Sequence, residues 1–406
     1  VNEKKPTNFG RMLYNTKLQK LPDNLNKIDT SSATSMNQMF YGFQSLTEQD
    51  IDLTWMNVSN VTDMSGMFEW SATIKSLNTT GWNTSKVQNM TNMFHGAKGL
   101  TNLDLTHWDV SSCTNMSGMF NEASTLTSLD VSSWNFEKCT AINQFIRQTT
   151  SLVDFNMSGV TFGATGVNFQ NFAYQSGVQN VNMSNITTAG KVSFESPFYG
   201  CSKLKTIDFS NSHFKPNGMQ NMFKGCSSLQ TLDLSMFNTS ECTSLNDTFN
   251  GCKSLTNLDL SNFNTSNITV FGGMCSGSGL IHANFSSFTA ESCTGCANMF
   301  YQCTNLQTVD LSNFKPLSSK VVNADQMFAS CNSLIQIDLS NFNTDGMSKF
   351  TNFINWGSRN VTLGLLYASA STINDVISTW SSVENGIVYY YDADPSQLTP
   401  VEGVTF

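Results

Sequence analysis

Eleven cysteines and four histidines are the residues from which a thiol nucleophile or a metal centre would be built in this chain. Cys293 and Cys296 have the two-residue gap of a zinc half-site, but no second ligand pair accompanies them, and a tetrahedral site needs four donors. Cys275 and His282 have the residue types of a nucleophile and its base, yet no third group is specified to orient the base. No glycine-rich phosphate loop stands between a strand and a long helix. These residues therefore point away from catalysis and away from a bound metal. What they share is their spacing, which belongs to a repeat.

A Met-Phe pair or its equivalent ends at Phe40, Phe68, Phe94, Phe120, Ile146, Phe172, Phe198, Phe223, Phe249, Cys275, Phe300, Phe328 and Ile354, in steps of 25 to 28 residues. Seventeen residues before most of these ends lies a Leu-Asp-Leu unit, as in Leu103-Asp104-Leu105, Leu232-Asp233-Leu234 and Leu258-Asp259-Leu260. Degenerate copies such as Phe155-Asn156-Met157 and Val181-Asn182-Met183 keep the register. Alternation of Leu258 and Leu260 with Asn257, Asp259 and Ser261 predicts a short strand with one buried face. An aromatic anchor follows (Trp82, Trp108, Trp134, Phe237, Phe263), then a segment such as Thr84 to Phe94. There a Ser or Thr stands at a cap position, and Val87, Met90, Met93 and Phe94 share one helical face, which predicts a short helical turn. Gly96, Gly200, Gly225 or Gly251 turns the chain back. One strand and one short helix cannot bury their apolar sides alone, so adjacent coils must stack on a shared core.

This pattern predicts an α/β repeat solenoid of about thirteen coils, with one parallel β-sheet and short helical turns on the opposite side. Residues 1–17 are expected to cap its N-terminal end, 18–366 to form the solenoid, 367–394 the C-terminal cap and 395–406 a linker. The cap rests on a helical spacing within Ser369 to Val383 and a strand-like Gly386 to Tyr391. The start, Val1 to Lys5, has neither an initiator Met nor a signal-peptide core and reads as that of a mature or excised fragment.

Aligned to the period, Cys201, Cys226, Cys252, Cys303 and Cys331 share a column with Ala97, Ala123 and Ser71, while Cys113, Cys139, Cys242 and Cys293 replace Val61, Val87 or Ile268. All eleven fall at core columns, as buried free thiols acting as small hydrophobes. The methionine stripe through Met64, Met67, Met90 and Met93 has the same core spacing, so packing accounts for it.

Charge collects elsewhere. The column between the two buried strand residues holds Asp52, Asp104, Asp130, Asp208, Asp233, Asp259, Asp310 and Asp338, with Asn at the other coils. Two residues on stands a Ser or Thr, and Asp50 and Asp154 join from the preceding outward column. No Lys or Arg enters these columns, so they carry a charge about equal to the chain's net −9. One reading is a hydrogen-bonded ladder that solvates the sheet. The other is a ligand-binding concave face built on Asp104, Asp130, Asp208, Asp233, Asp259, Asp310 and Asp338, suited to a glycan or basic protein segment and to weak calcium binding, with no other cofactor implied.

Only 13% of the residues are charged, and the net charge of −9 lacks the basic face that nucleic acid or an anionic membrane requires. No apolar run approaches the ~18 to 20 residues of a membrane span. The unit Met222-Phe223-Lys-Gly-Cys226-Ser-Ser-Leu229-Gln-Thr-Leu232-Asp233-Leu234-Ser235-Met-Phe237-Asn238-Thr239-Ser240 resembles the repeat of BspA-like bacterial surface proteins, and the resemblance spans 18 to about 366. It implies a leucine-rich-repeat fold, an extracellular cell-surface location and non-catalytic adhesion to proteins or glycans of host or neighbouring cells. It transfers no binding residue. A structural spacer or self-assembling sheath component is the alternative.

Overall fold

The computed structural model describes residues 5–101, 103–163, 166–316, 322–339, 341–342, 347–349 and 351–354, and the strands Leu365–Tyr367, Ile387–Tyr391 and Val401–Thr405. They divide into two compact units, Val1–Ser193 with Pro197–His213, and Phe194–Ser196 with Phe214–Phe406. Each is a parallel β-solenoid of the leucine-rich-repeat type, and together they contribute about 11 turns, fewer than the thirteen coils counted from the sequence.

In the first unit, Ser128–Asp130, Asp154–Asn156, Asn180–Asn182 and Thr206–Asp208 form one parallel sheet, with Asp130, Asn156, Asn182 and Asp208 in register. Asp50–Asp52 and Ser76–Asn78 pair separately. In the second unit, His282–Asn284, Thr308–Asp310, Gln336–Asp338, Leu365–Tyr367 and Ile387–Tyr391 run parallel. Val401–Thr405, within the stretch expected to be a linker, pairs antiparallel with Ile387–Tyr391. The helix expected within Ser369 to Val383 lies outside the described residues. Three segments expected as strands, Leu103-Asp104-Leu105, Leu232-Asp233-Leu234 and Leu258-Asp259-Leu260, carry no sheet ladder. At two of them the first leucine, Leu103 or Leu232, is only half-buried, whereas its counterparts Leu77 and Leu129 are buried.

The expected helical turns are absent: the 3₁₀ turn Leu25–Lys27 is the one helical element among the described residues. Between Met90 and Gly96 the backbone makes successive tight turns instead. Met93 N–H donates to Met90 C=O (3.2 Å) and His95 N–H to Asn92 C=O (3.1 Å). The intervening donors leave the coil: Met90, Asn92, Phe94 and Gly96 N–H reach Asn115, Ser117, Met119 and Asn121 C=O of the next coil at 2.8–2.9 Å. A helix would need those same donors four residues back along the chain. Asn92 and Gly96, at φ +56° and +67°, reverse the backbone's hand where a helix would continue. The same ladder runs in the second unit from Leu245, Asp247, Phe249 and Gly251 to Val270, Gly272, Met274 and Ser276. It also begins early: Phe9, Arg11, Leu13 and Asn15 donate to Ser35, Asn37, Met39 and Tyr41.

The interior follows the sequence columns. Phe40, Phe68, Phe94 and Phe120 are buried and stack face to face at 5.4 to 5.6 Å between centroids. Trp82 and Trp108 stack at 5.9 Å. All eleven cysteines are buried and unbridged. Those of the Ser71 column are more than small hydrophobes: Cys252 Sγ donates to Phe223 C=O (3.2 Å) and Cys331 Sγ to Phe300 C=O (3.0 Å), as Ser71 Oγ donates to Phe40 C=O (2.6 Å). They satisfy main-chain acceptors in the core.

Candidate ligand-binding face

Alternation along each strand turns Ile207 inward and Asp208 outward, and the same phase places Asp52, Asp130, Asp310 and Asp338 on the sheet surface, while Asp104, Asp233 and Asp259 face outward on segments without a ladder. Asp104, Asp130, Asp208, Asp233 and Asp259 are exposed, and Asp310 and Asp338 are half-buried. Asp310 and Asp338 are direct register partners, whereas Asp130 and Asp208 are separated by Asn156 and Asn182.

The hydrogen bonds of this column run mainly within a coil. Asp104 Oδ1 accepts from Thr106 N–H (3.0 Å) and Oγ1–H (2.6 Å). Asp130 does the same with Ser132 (2.9 and 2.6 Å), and Asp208, Asp233, Asp259 and Asp310 accept from Ser210, Ser235, Ser261 and Ser312 N–H at 2.8–2.9 Å. Each is an Asx turn that takes the chain out of the strand. The device recurs at the other corners of the coil, with Asp109 on Ser111 N–H (2.9 Å) and Asn115 on Ser117 N–H (2.9 Å). Asparagines two residues before a serine act in the same way: Asn57, Asn83 and Asn264 accept from Ser59, Ser85 and Ser266 N–H.

These bonds favour the carboxylate form. The Thr106 hydroxyl and then its N–H lower the Asp104 pKa, and the N–H and then the hydroxyl of Ser235 and Ser261 do so for Asp233 and Asp259. At Asp130 partial burial pushes upward, but Ser132 and Asn156 outweigh it and leave the group acidic.

In the first unit the sheet is dished into a groove of about 540 Å³. Asp130, Asp154 and Asp208 line it with Asn156, Asn180, Asn182 and Thr206, over a floor of Leu129, Phe155 and Val181. Asn156 Nδ2 donates to Asp130 Oδ2 (3.0 Å) and Asn180 Nδ2 to Asp154 Oδ1 (2.7 Å), so the amides hold two of the three carboxylates in place. Of the acids singled out from the sequence, the groove gathers Asp130 and Asp208; Asp154, from the preceding outward column, completes it.

The candidates for chemistry stay apart. Cys275 is buried with its thiol pKa raised by burial, and His282 is exposed on the sheet, its Nδ1 2.9 Å from Thr308 Oγ1. Among the described residues no group of three or more His, Cys, Asp or Glu is placed to hold a metal ion, and no catalytic constellation is assembled. No helix among them is long and apolar enough to cross a membrane. One cluster escaped the sequence reading: His95 Nδ1 lies 2.9 Å from Glu69 Oε1, beside Trp70, on the turn ladder. Only knowledge of which turn residues face outward would have found it.

The family model described as "Mycoplasma protein of unknown function, DUF285" matches residues 7–103, 71–167, 156–288, 192–314, 217–342 and 279–359. The chain belongs to this family. Each match is longer than one coil, so a DUF285 unit comprises several coils. Among solved structures the DUF285 chain is similar to a leucine-rich cell surface protein from Faecalibacterium prausnitzii A2-165, at 15% identity over 80% of this chain and 87% of that one, with a TM-score of 0.40. A Leptospira interrogans LRR protein matches at 13% identity over 92% and 94%, with a TM-score of 0.29. No curated protein matches the chain.

Proposed function

We propose that this protein is a non-catalytic ligand-binding module of a cell surface, of BspA-like type, and that its sheet groove takes a cationic segment of a partner protein on a host or neighbouring cell. The observation that carries this reading is the groove itself: three carboxylates line about 540 Å³ with no Lys or Arg beside them. Lysine or arginine side chains of a segment laid across the strands exchange water for charge-assisted bonds, one to each of Asp130, Asp154 and Asp208, while their aliphatic stems lie over the apolar floor. Asp104 extends the acidic stripe in the first unit, and Asp233, Asp259, Asp310 and Asp338 carry a corresponding stripe in the second. Weak calcium binding belongs to the same reading, because calcium accepts carboxylate and carbonyl oxygens in loose geometry.

The test is surface-based binding of a lysine decamer to the whole chain at rising ionic strength, beside the variant Asp130→Asn with Asp154→Asn and Asp208→Asn. Affinity should fall with salt and fall again in the variant. Equal affinity for the two proteins at low salt refutes the assignment of the groove.

A further inference from the structure

A second groove, of about 570 Å³, lies on the turn ladder of the second unit, away from the acidic sheet. It exists because three glycines and an alanine occupy neighbouring places on the outer surface of two coils. Gly272 and Gly273 stand where the preceding coil has Asn246 and Asp247, and Gly295 and Ala297 continue the gap into the next coil. The surface sinks there, and polar side chains of the flanking coils form the walls.

Those walls have a definite chemistry. Asp247 lies at one side, its Oδ2 accepting from Lys224 Nζ (2.9 Å) and Asn246 Nδ2 (3.2 Å) and its Oδ1 from Asn250 Nδ2 (2.6 Å). Three of the roughly four lone-pair positions of a carboxylate are thus used, which leaves room for one more donor. Lys224 offsets the charge, so the groove is close to neutral. Gly273 makes this placement possible: at φ +60°, a Cβ on it would sit 2.2 Å from Asp247 Oδ1. Across the groove stand the side-chain amides of Asn298 and Gln326, for which no protein partner is seen among the described residues, and the half-buried ring of Tyr301.

We propose that this groove binds a neutral saccharide of about one to three rings. A carboxylate with a spare lone pair beside amides that can both donate and accept suits the vicinal hydroxyls of a sugar. An aromatic ring suits the apolar face of a pyranose. Paired glycines let the ligand approach the main chain. The volume falls within the ~300 to 1,000 Å³ typical of small-molecule sites. A cationic ligand would gain little beside a carboxylate already paired with Lys224, which separates this site from the acidic groove of the first unit.

Cellobiose, maltose, lactose and N,N′-diacetylchitobiose are the probes, titrated into the whole chain by calorimetry and followed by saturation-transfer NMR. At least one should bind, with an affinity indifferent to salt. Asp247→Asn and Tyr301→Ala should each weaken it by about tenfold or more. Gly295→Val provides a control that keeps the fold: a Cβ at Gly295 meets nothing within 4 Å, and Val270 occupies the paired position of the preceding coil, so the added bulk fills the groove alone. It should abolish binding with the thermal midpoint unchanged. Asp130→Asn and Asp208→Asn on the sheet should have no effect. The proposal is overturned if none of the four sugars binds at millimolar concentration, if binding survives Gly295→Val in a folded protein, or if only an anionic sugar such as sialyllactose is retained.

Discussion

Replacing Asp130 separates the two roles of the acidic column, because its bonds are known one by one. Its Oδ1 accepts from Ser132 N–H (2.9 Å) and Oγ–H (2.6 Å), and its Oδ2 from Asn156 Nδ2 (3.0 Å). In Asp130→Ala the serine hydroxyl and the asparagine amide, both at the surface, turn to water at little cost. The Ser132 N–H is held by the turn and loses an acceptor built into it. A comparable lost cap costs about 1 kcal/mol, and the exposed position argues for the lower half of the usual range. Asp130→Asn keeps an acceptor for that N–H and forfeits only the contact with Asn156, for a cost of under about 0.5 kcal/mol. Urea unfolding followed by circular dichroism should therefore rank the proteins native, then Asn, then Ala, with the larger gap before Ala. The binding series should break at a different point, since Asn already lacks the charge. If Asn destabilises as much as Ala, the turn is held by charge and the hydrogen-bond argument fails.

Four other outcomes follow from the interior and from the acids. Phe94→Ala, which removes a ring stacked between Phe68 and Phe120, should cost about 3 to 5 kcal/mol in urea unfolding, and a cost under about 1 would deny the stack its role. Cys252→Ser keeps a donor for Phe223 C=O and should be nearly neutral, whereas Cys252→Ala should lose about 1 kcal/mol; reversed order in thermal melts would show that the thiol acts by size. Burial raises the pKa of Cys113, Cys139, Cys201 and Cys252 to about 12, so a disulfide reagent at pH 8 should leave the native protein unlabelled and count eleven thiols once it is unfolded; fast native labelling would contradict the packing. The carboxylates of Asp104, Asp109 and Asp233 titrate below the ordinary value of 3.8, so their stabilisation is complete above that pH and lost as pH falls through the lower folded values. A melting midpoint flat from pH 7 to 5 and falling below about pH 4 is expected, and one that rises on acidification would reverse the sign.

Strand phase, the Phe column and the burial of every cysteine were legible because each is a period-locked choice between apolar and polar. The turns were not. Val87, Met90, Met93 and Phe94 present the same spacing to a helix as to a chain of tight turns, since both bring every third or fourth residue inward. The discriminating signal was the conformation demanded at Gln38, Gly66, Asn92, Gly118, Gln144 and Asn171, all at positive φ and mostly glycine or amide residues. A second such column runs through Gly42, Trp70, Gly96, Glu122 and Gln148. The acidic column was visible as charge, but its work as a turn device needed Asp104 and Thr106 to be seen in contact. The Gly272–Gly273 groove had no signature at all until the outward side of the ladder was known.

In the turn ladder Met90, Asn92, Phe94 and Gly96 N–H point forward to the next coil, whereas the donors that point back, Gln88 and Asn89 N–H, come earlier in the coil and meet Thr62 C=O. A coil therefore meets its two neighbours through unlike edges that fit any other coil in the array. Unequal crossing-over within the gene can then delete or duplicate whole periods without compensating changes elsewhere, so long as the breakpoints preserve the step. Array length is the variable that such an architecture leaves open to selection, and the chain's reach can be adjusted without altering the chemistry of a single coil.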